Sequence, residues 1–227
     1  MRTDAVLVVE PAVDELVDPR RLAVLRLLLE RRVALDEALG RMLAEPHVLT
    51  AAAALLVERL DAGSTVLVAG NGGSAAEAQH FAAELVGRFK REREPYAVLA
   101  LTADSATLTA VANDYGYAEV FARQVRAFGR PGDVLVAFST SGESENVVRA
   151  AEVAREMGVS VVAVTGTRPS RLAAAANLAI RVPVEETPVV QELHAMVTHL
   201  LCDVVEAELA ARPPRACAMP ARTPVAR

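Results

Sequence analysis

The chain carries histidines at positions 47, 80, 194 and 199 and nowhere else. His80 stands four residues before Glu84, a spacing that puts both on one face of a helix. Gln191, His194 and His199 fall together in another helical stretch. Gln191 and His199 differ by about 80° around a regular helix and by about 12 Å along it, whereas His194 points about 140° away from His199. His80, Glu84, Gln191 and His199 could together hold a divalent ion such as zinc, provided Gln191 reaches in from the first turn of its helix. The same groups could instead move protons. A glutamate beside a histidine suits abstraction of a proton next to a carbonyl, with Glu84 as base and His199 as acid. A solvent-facing i,i+4 pair is the plainer alternative for His80 and Glu84. For His194 the reading is a satisfied polar group or a subunit contact.

Two loops offer anion chemistry. Gly70-Asn71-Gly72-Gly73-Ser74 follows the run TVLVA, and Ser139-Thr140-Ser141-Gly142-Glu143-Ser144 follows DVLVAF. Glycine lets a ligand approach the backbone closely. Free N–H groups at a helix start favour an anion, and the hydroxyls of Ser139, Thr140, Ser141 and Ser144 add donors. Either loop alone is equally a turn with an N-cap. Neither matches a dinucleotide or nucleoside-triphosphate fingerprint. Glu143 would repel a phosphate if it pointed inward, so its carboxylate is expected to face away. Asn113-Asp114, between a helix and Tyr115-Gly116, has the composition of a turn.

These residues need elements to hold them. Residues 19–44 and 47–62 read as N-terminal helices, with Leu22, Leu25, Leu28 and Leu29 on one face. Short apolar runs then alternate with helical stretches. Strands are expected at 65–69, 97–101, 133–138, 159–164 and 178–182. Helices are expected at 74–88, from Asp104, at 143–157 and at 189–209. That alternation means an α/β fold with a parallel sheet covered on both faces. Ligands of such sheets bind beyond the carboxyl ends of the strands, where both loops lie. Residues 1–18 read as a flexible arm, 19–211 as a single domain with its N-terminal helices, and 212–227 as a disordered tail.

Composition narrows the function. Hydrophobic residues make up 52% of 227 and aromatics 4%, so the core is built from Ala, Val and Leu. A net charge of −5 argues against a nucleic-acid partner. The basic run Arg88, Lys90, Arg91, Arg93 reads as a solvated helix end or loop. Two cysteines, Cys202 and Cys217, exclude a disulfide scaffold, and Cys202 is expected in the core. No apolar run is long enough for a membrane helix. The expected location is cytoplasmic.

The stretches GNGGSAAEAQHFAAELVGRF, ANDYGY with FARQV, STSGES and QELHAMVTH resemble the phosphoheptose isomerases of the sugar-isomerase (SIS) domain family, from about residue 45 to 210. The resemblance implies a flavodoxin-like three-layer sandwich around a five-stranded parallel sheet. It implies a homotetramer with sites near subunit interfaces. It also implies conversion of D-sedoheptulose 7-phosphate to D-glycero-D-manno-heptose 7-phosphate through an enediol, with one zinc ion per subunit. By motif position, the implied substrate contacts are Asn71, Gly72, Gly73, Glu84, Asn113, Asp114, Ser139, Thr140, Ser141, Ser144 and Gln191. The implied zinc ligands are His80, Glu84, Gln191 and His199, and the implied proton-transfer residues are Glu84 and His199. The chain departs from the family pattern at Thr167-Arg168-Pro169-Ser170, usually glycine-rich, at Val189, usually basic, and at Glu143, commonly Asn.

Three rivals share the fold. Sugar-phosphate-binding regulators that associate with the replication initiator lack the acid–base pair, which this chain has. Etherases acting on a phosphorylated amino sugar fit less well than the QELH…H helix does. Sugar-phosphate sensors carry a DNA-binding segment, and none is visible here.

Overall fold

The computed structural model describes residues 18–212. The arm expected at 1–18 and the tail expected at 212–227 lie outside it except for Asp18 and Arg212, and so does Cys217.

Helix α1 (Pro19–Ala44) starts where Asp18 accepts a hydrogen bond from Arg20 N at 2.9 Å, with a proline in its first turn. Helix α2 (His47–Asp61) follows, and Gly63, at φ +84°, turns the chain into the sheet. Then come β1 (Val66–Ala69), α3 (Gly73–Val86), β2 (Val98–Ala100), α4 (Ser105–Tyr115), α5 (Ala122–Phe128), β3 (Val134–Ser139), α6 (Glu145–Glu156), β4 (Ser160–Thr165), α7 (Arg171–Ala175), β5 (Leu178–Arg181) and α8 (Thr187–Ala210). The short helices α5 and α7 were not expected from the sequence. The expected helix at 143–157 begins two residues later, with Ser144 at its cap. The helix expected at 189–209 begins two residues earlier.

All pairings are parallel, in the order β2-β1-β3-β4-β5. The α/β reading and the five-stranded sheet therefore hold. Every residue of β1 and β3 is buried, which explains their unbroken apolar sequences. Two apolar layers sandwich the sheet. One packs α2, α3 and α8 on the faces of Val68, Val136 and Val164, and the other packs α5 and α6 on Leu67, Leu135 and Val161. Burying each such Val or Leu contributes about 1.5–3 kcal/mol. Cys202 lies in the first layer, and burial pushes its thiol pKa up.

The connection after β1 runs to β2 on one side and the next strand, β3, joins on the other. The strand order thus reverses between β1 and β3, at the point where ligands bind in open α/β sheets. Helix α1 meets the rest of the fold through its C-terminal half, where Ala34, Leu35, Leu39 and Met42 pack on the first layer. Only Ala38 is buried, while Leu22, Leu25, Leu28 and Leu29 are 47–62% exposed. Among the described residues the leucine face seen in the sequence stays largely exposed.

Candidate active site

Both expected loops leave neighbouring strands at this switch point. Gly72 is the N-cap of α3 and adopts φ +55°, a conformation that favours glycine. Gly142 does the same in the other loop at φ +68°. A paired amide bridge ties the loops together. Asn71 Nδ2 donates to Asn146 Oδ1 and Asn146 Nδ2 donates to Asn71 Oδ1, both at 2.8 Å, and Asn146 is 3% exposed. The Tyr117 hydroxyl also donates to Asn71 Oδ1, at 2.9 Å. The Asn71 side chain is therefore held by the protein. Neither Asn146 nor Tyr117 was picked out from the sequence, because their partner lies 75 and 46 residues away.

The serine loop is shaped partly by its own hydroxyls. Ser139 Oγ accepts from Gly142 N (3.0 Å) and lies 3.3 Å from Ser144 Oγ, and Ser141 Oγ accepts from Glu143 N (3.2 Å). Ser144 caps α6 without a side-chain bond to it, so its hydroxyl does not occupy the first turn of that helix. Glu143 faces away, as expected. Its Oε1 accepts from the backbone N of Arg171 at 2.9 Å, at the start of α7. A Cβ on Gly142 would fall 2.1 Å from Ser170 Oγ, so the glycine lets the serine loop close on the Ser170 cap of α7.

Helix α3 carries His80 and Glu84 away from the first loop. His80 Nε2 lies 3.1 Å from Glu84 Oε1 and 3.2 Å from His199 Nε2 of α8. The imidazole rings meet edge-on at 4.9 Å. The solvent-pair alternative for His80 and Glu84 is thereby set aside: both are half-buried and face a second histidine. On its other side, His80 Nδ1 lies 3.6 Å from Glu77 Oε1. Donor atoms of His80, Glu84 and His199 all fall within 4.8 Å of one another.

This donor set fits a small tetrahedral ion. Ligands about 2.1 Å from zinc stand about 3.4 Å apart at the corners of a tetrahedron, close to two of the three separations, with the third within 4.8 Å. Imidazole nitrogen with carboxylate oxygen is a zinc-type set. Gln191 opens the second turn of α8, not the first as its sharing of an ion seemed to require. Its amide abuts Gly73, where a Cβ would lie 2.5 Å from Nε2.

Two further expectations need adjusting. Asn113 and Asp114 do not follow a helix. They lie in the last turn of α4, both exposed, with Asn113 Nδ2 donating to Asp114 Oδ1 at 2.8 Å. The turn itself is Gly116, at φ +87°. His194 is only weakly satisfied, through a contact with the Thr165 backbone. It is 1% exposed, packs 5.9 Å from the Phe138 ring, and neither ring nitrogen has a well-formed hydrogen bond. Burial pushes its pKa down to about 4, and a contact with the Thr165 backbone only partly offsets this. Its imidazole stays neutral at pH 7.

Residues 35–166 match the SIS domain family. The phosphoheptose isomerase of Rhodospirillum rubrum is 56% identical over 155 residues, 68% of this chain and 82% of that protein. The structure of the phosphoheptose isomerase from Neisseria gonorrhoeae is similar with a TM-score of 0.76 at 39% identity, covering 82% of this chain and 98% of the other. That from Francisella tularensis gives 0.77 at 37% identity, covering 81% and 98%. Among the described residues no helix is long and apolar enough to cross a membrane.

Proposed function

We infer the reaction from one premise: this chain belongs to the SIS domain family and, within it, to the phosphoheptose isomerases. It is an aldose–ketose isomerase that converts D-sedoheptulose 7-phosphate to D-glycero-D-manno-heptose 7-phosphate. The observation that carries this reading is the meeting of His80, Glu84 and His199 on α3 and α8, with α3 starting at the first ligand loop.

In this proposal the phosphate sits on the loop of Ser139, Thr140, Ser141 and Ser144, at the start of α6. The sugar lies along Asn71, Gly72 and Gly73, with Gln191 and the Asn113-Asp114 pair at the end of α4 as further contacts. Glu84 takes a proton from C1 of the ketose, beside the C2 carbonyl, and an enediol results. The proton returns at C2, while His199 moves a proton from O1 to O2. The product is the aldose, with no net gain or loss of atoms. His80, Glu84 and His199 would hold zinc, with Gln191 as the remaining candidate ligand. Bound there, zinc would supply Lewis-acid polarisation of a substrate oxygen. A carboxylate on a metal is a weaker base, so Glu84 has to be free of the ion when it takes the proton.

The homotetramer belongs to the same proposal. A helix exposing Leu22, Leu25, Leu28 and Leu29 supports self-association, because such a face is costly in water. His199 is exposed within one chain, which supports a site completed by a neighbouring copy. A cytoplasmic location is consistent with the free thiol of Cys202.

The test is incubation of purified protein with sedoheptulose 7-phosphate, with product identified by NMR, before and after chelation. A heptose 7-phosphate that is lost on chelation and regained with zinc supports both the reaction and the metal. No product from folded, zinc-loaded protein refutes the reading.

A further inference from the structure

The basic run at 88–93 is a loop whose Arg88, Lys90 and Arg91 side chains are exposed, as expected, while its backbone and the Arg93 side chain are held by a buried acid from α8. Glu206 is fully buried. Its Oε1 accepts from Phe89 N (2.9 Å), and its Oε2 accepts from Lys90 N (2.7 Å) and Arg91 N (2.9 Å). Consecutive backbone N–H groups thus converge on one carboxylate. The Arg93 side chain, 4% exposed, completes the arrangement with Nε 3.4 Å from Glu206 Oε1. Its Nη2 and Nη1 donate to the carbonyls of Glu84 and Gly87, both at 2.9 Å, and so finish the last turn of α3. The Tyr96 ring covers the guanidinium at 4.2 Å. Outside, Lys90 and Arg91 pair with Asp203, at 2.6 and 3.3 Å.

This clamp has a consequence at the site. With the loop drawn onto α8, the Phe89 ring stacks on the His199 imidazole at 5.3 Å and 27°. His199 thereby lies between Phe89 on one face and His80 at its edge. The end of α3 that carries Glu84 is joined through Arg93 to the same carboxylate. A buried ion pair adds little net stability over a well-packed apolar contact. What it supplies here is a fixed relation between two helices that each bring a reacting group.

We propose that Glu206 is a positioning residue for the proposed isomerisation: through the 88–93 loop and Phe89 it holds the His199 imidazole against His80 and Glu84. Glu206 touches none of the reacting atoms. The inference rests on the isomerase reading for its kinetic arm and on geometry alone for its spectroscopic arm.

The experiment compares the parent with Glu206→Gln, Phe89→Leu and Phe89→Tyr in the full chain. The glutamine keeps the shape but turns an amide N–H₂ towards backbone donors. Expected is a fall in kcat of about tenfold with KM within about twofold, for both Glu206→Gln and Phe89→Leu, and recovery in Phe89→Tyr. In metal-free protein without substrate, the ring signal of His199 carries the ring-current shift of Phe89. Phe89→Leu identifies that signal by moving it, and Glu206→Gln is expected to move the same signal in the same direction. An unmoved His199 signal, or an unchanged kcat, in Glu206→Gln overturns the proposal. If Glu206→Gln does not fold, Phe89→Leu decides: kcat within about twofold of the parent overturns it, and a tenfold loss at constant KM supports it. If the parent itself does not convert the heptose, the isomerase reading fails, and the His199 signal alone judges the positioning role.

Discussion

Acid should destabilise this protein through His194. In the folded chain the imidazole is shut away with its pKa near 4, against 6.5 for an ordinary histidine. The unfolded chain therefore binds a proton below pH 6.5 that the folded chain refuses until about pH 4. The stability is fully present above pH 6.5 and is lost as the pH falls towards 4. Each pH unit in that window is worth about 1.4 kcal/mol. Between pH 7 and pH 5 this one group should remove about 2 kcal/mol of folding stability. His194→Leu is close in volume, ends the titration and removes two buried nitrogens that have no well-formed hydrogen bond. The assay is urea unfolding at pH 7 and pH 5, at one protomer concentration and in chelator. Those conditions keep assembly and metal binding from adding their own pH dependence. The parent should lose about 2 kcal/mol more than His194→Leu over this interval. Equal losses would refute the argument, because the folded chain would then protonate His194 as readily as the unfolded one.

Other changes act at the site. Glu84→Gln should keep the fold and sugar-phosphate binding while kcat falls by at least about a thousandfold, measured by turnover and by calorimetry with substrate. His80→Ala should lower zinc content to less than about a tenth of the parent's by elemental analysis, since it removes one corner of the donor set. Gly73→Ala should raise KM about tenfold with the melting temperature nearly unchanged. The new Cβ meets only the far end of the Gln191 side chain, which can swing away. Adding Gln191→Ala to Gly73→Ala should therefore cost little more, and full additivity would sink the assignment.

Much of the fold was legible because its strands are buried on both faces and so read as unbroken apolar runs. Val134–Ser139 is the clearest case, with every residue buried. Helices α5 and α7 escaped because they span only 7 and 5 residues, too few for a helical period to register. The leucine face of α1 was legible as a face, but periodicity cannot say what covers it. The loop at 88–93 is solvated at Arg88, Lys90 and Arg91, as its composition indicates, and only Arg93 departs from that reading. The acid that holds its backbone lies 115–117 residues further along the chain. Nothing local marks Glu206 as different from the other acids of α8.

The candidate site shows where helical geometry alone runs out. Angles around one helix related Gln191, His194 and His199 to each other, and the i,i+4 rule related His80 to Glu84. Neither could relate the two helices. In the structure α3 and α8 run side by side in the same direction: Gly73 meets Gln191, His80 meets His199, and the end of α3 meets Glu206 through Arg93. The rises agree, because seven residues on α3 and eight on α8 each advance about 10–12 Å. A parallel pair in that register brings His80, Glu84 and His199 together at one level and leaves Gln191 at the level of the glycine loop. Spacing within each helix then selects which residues face the site, and a buried carboxylate one level below keeps the pair in register.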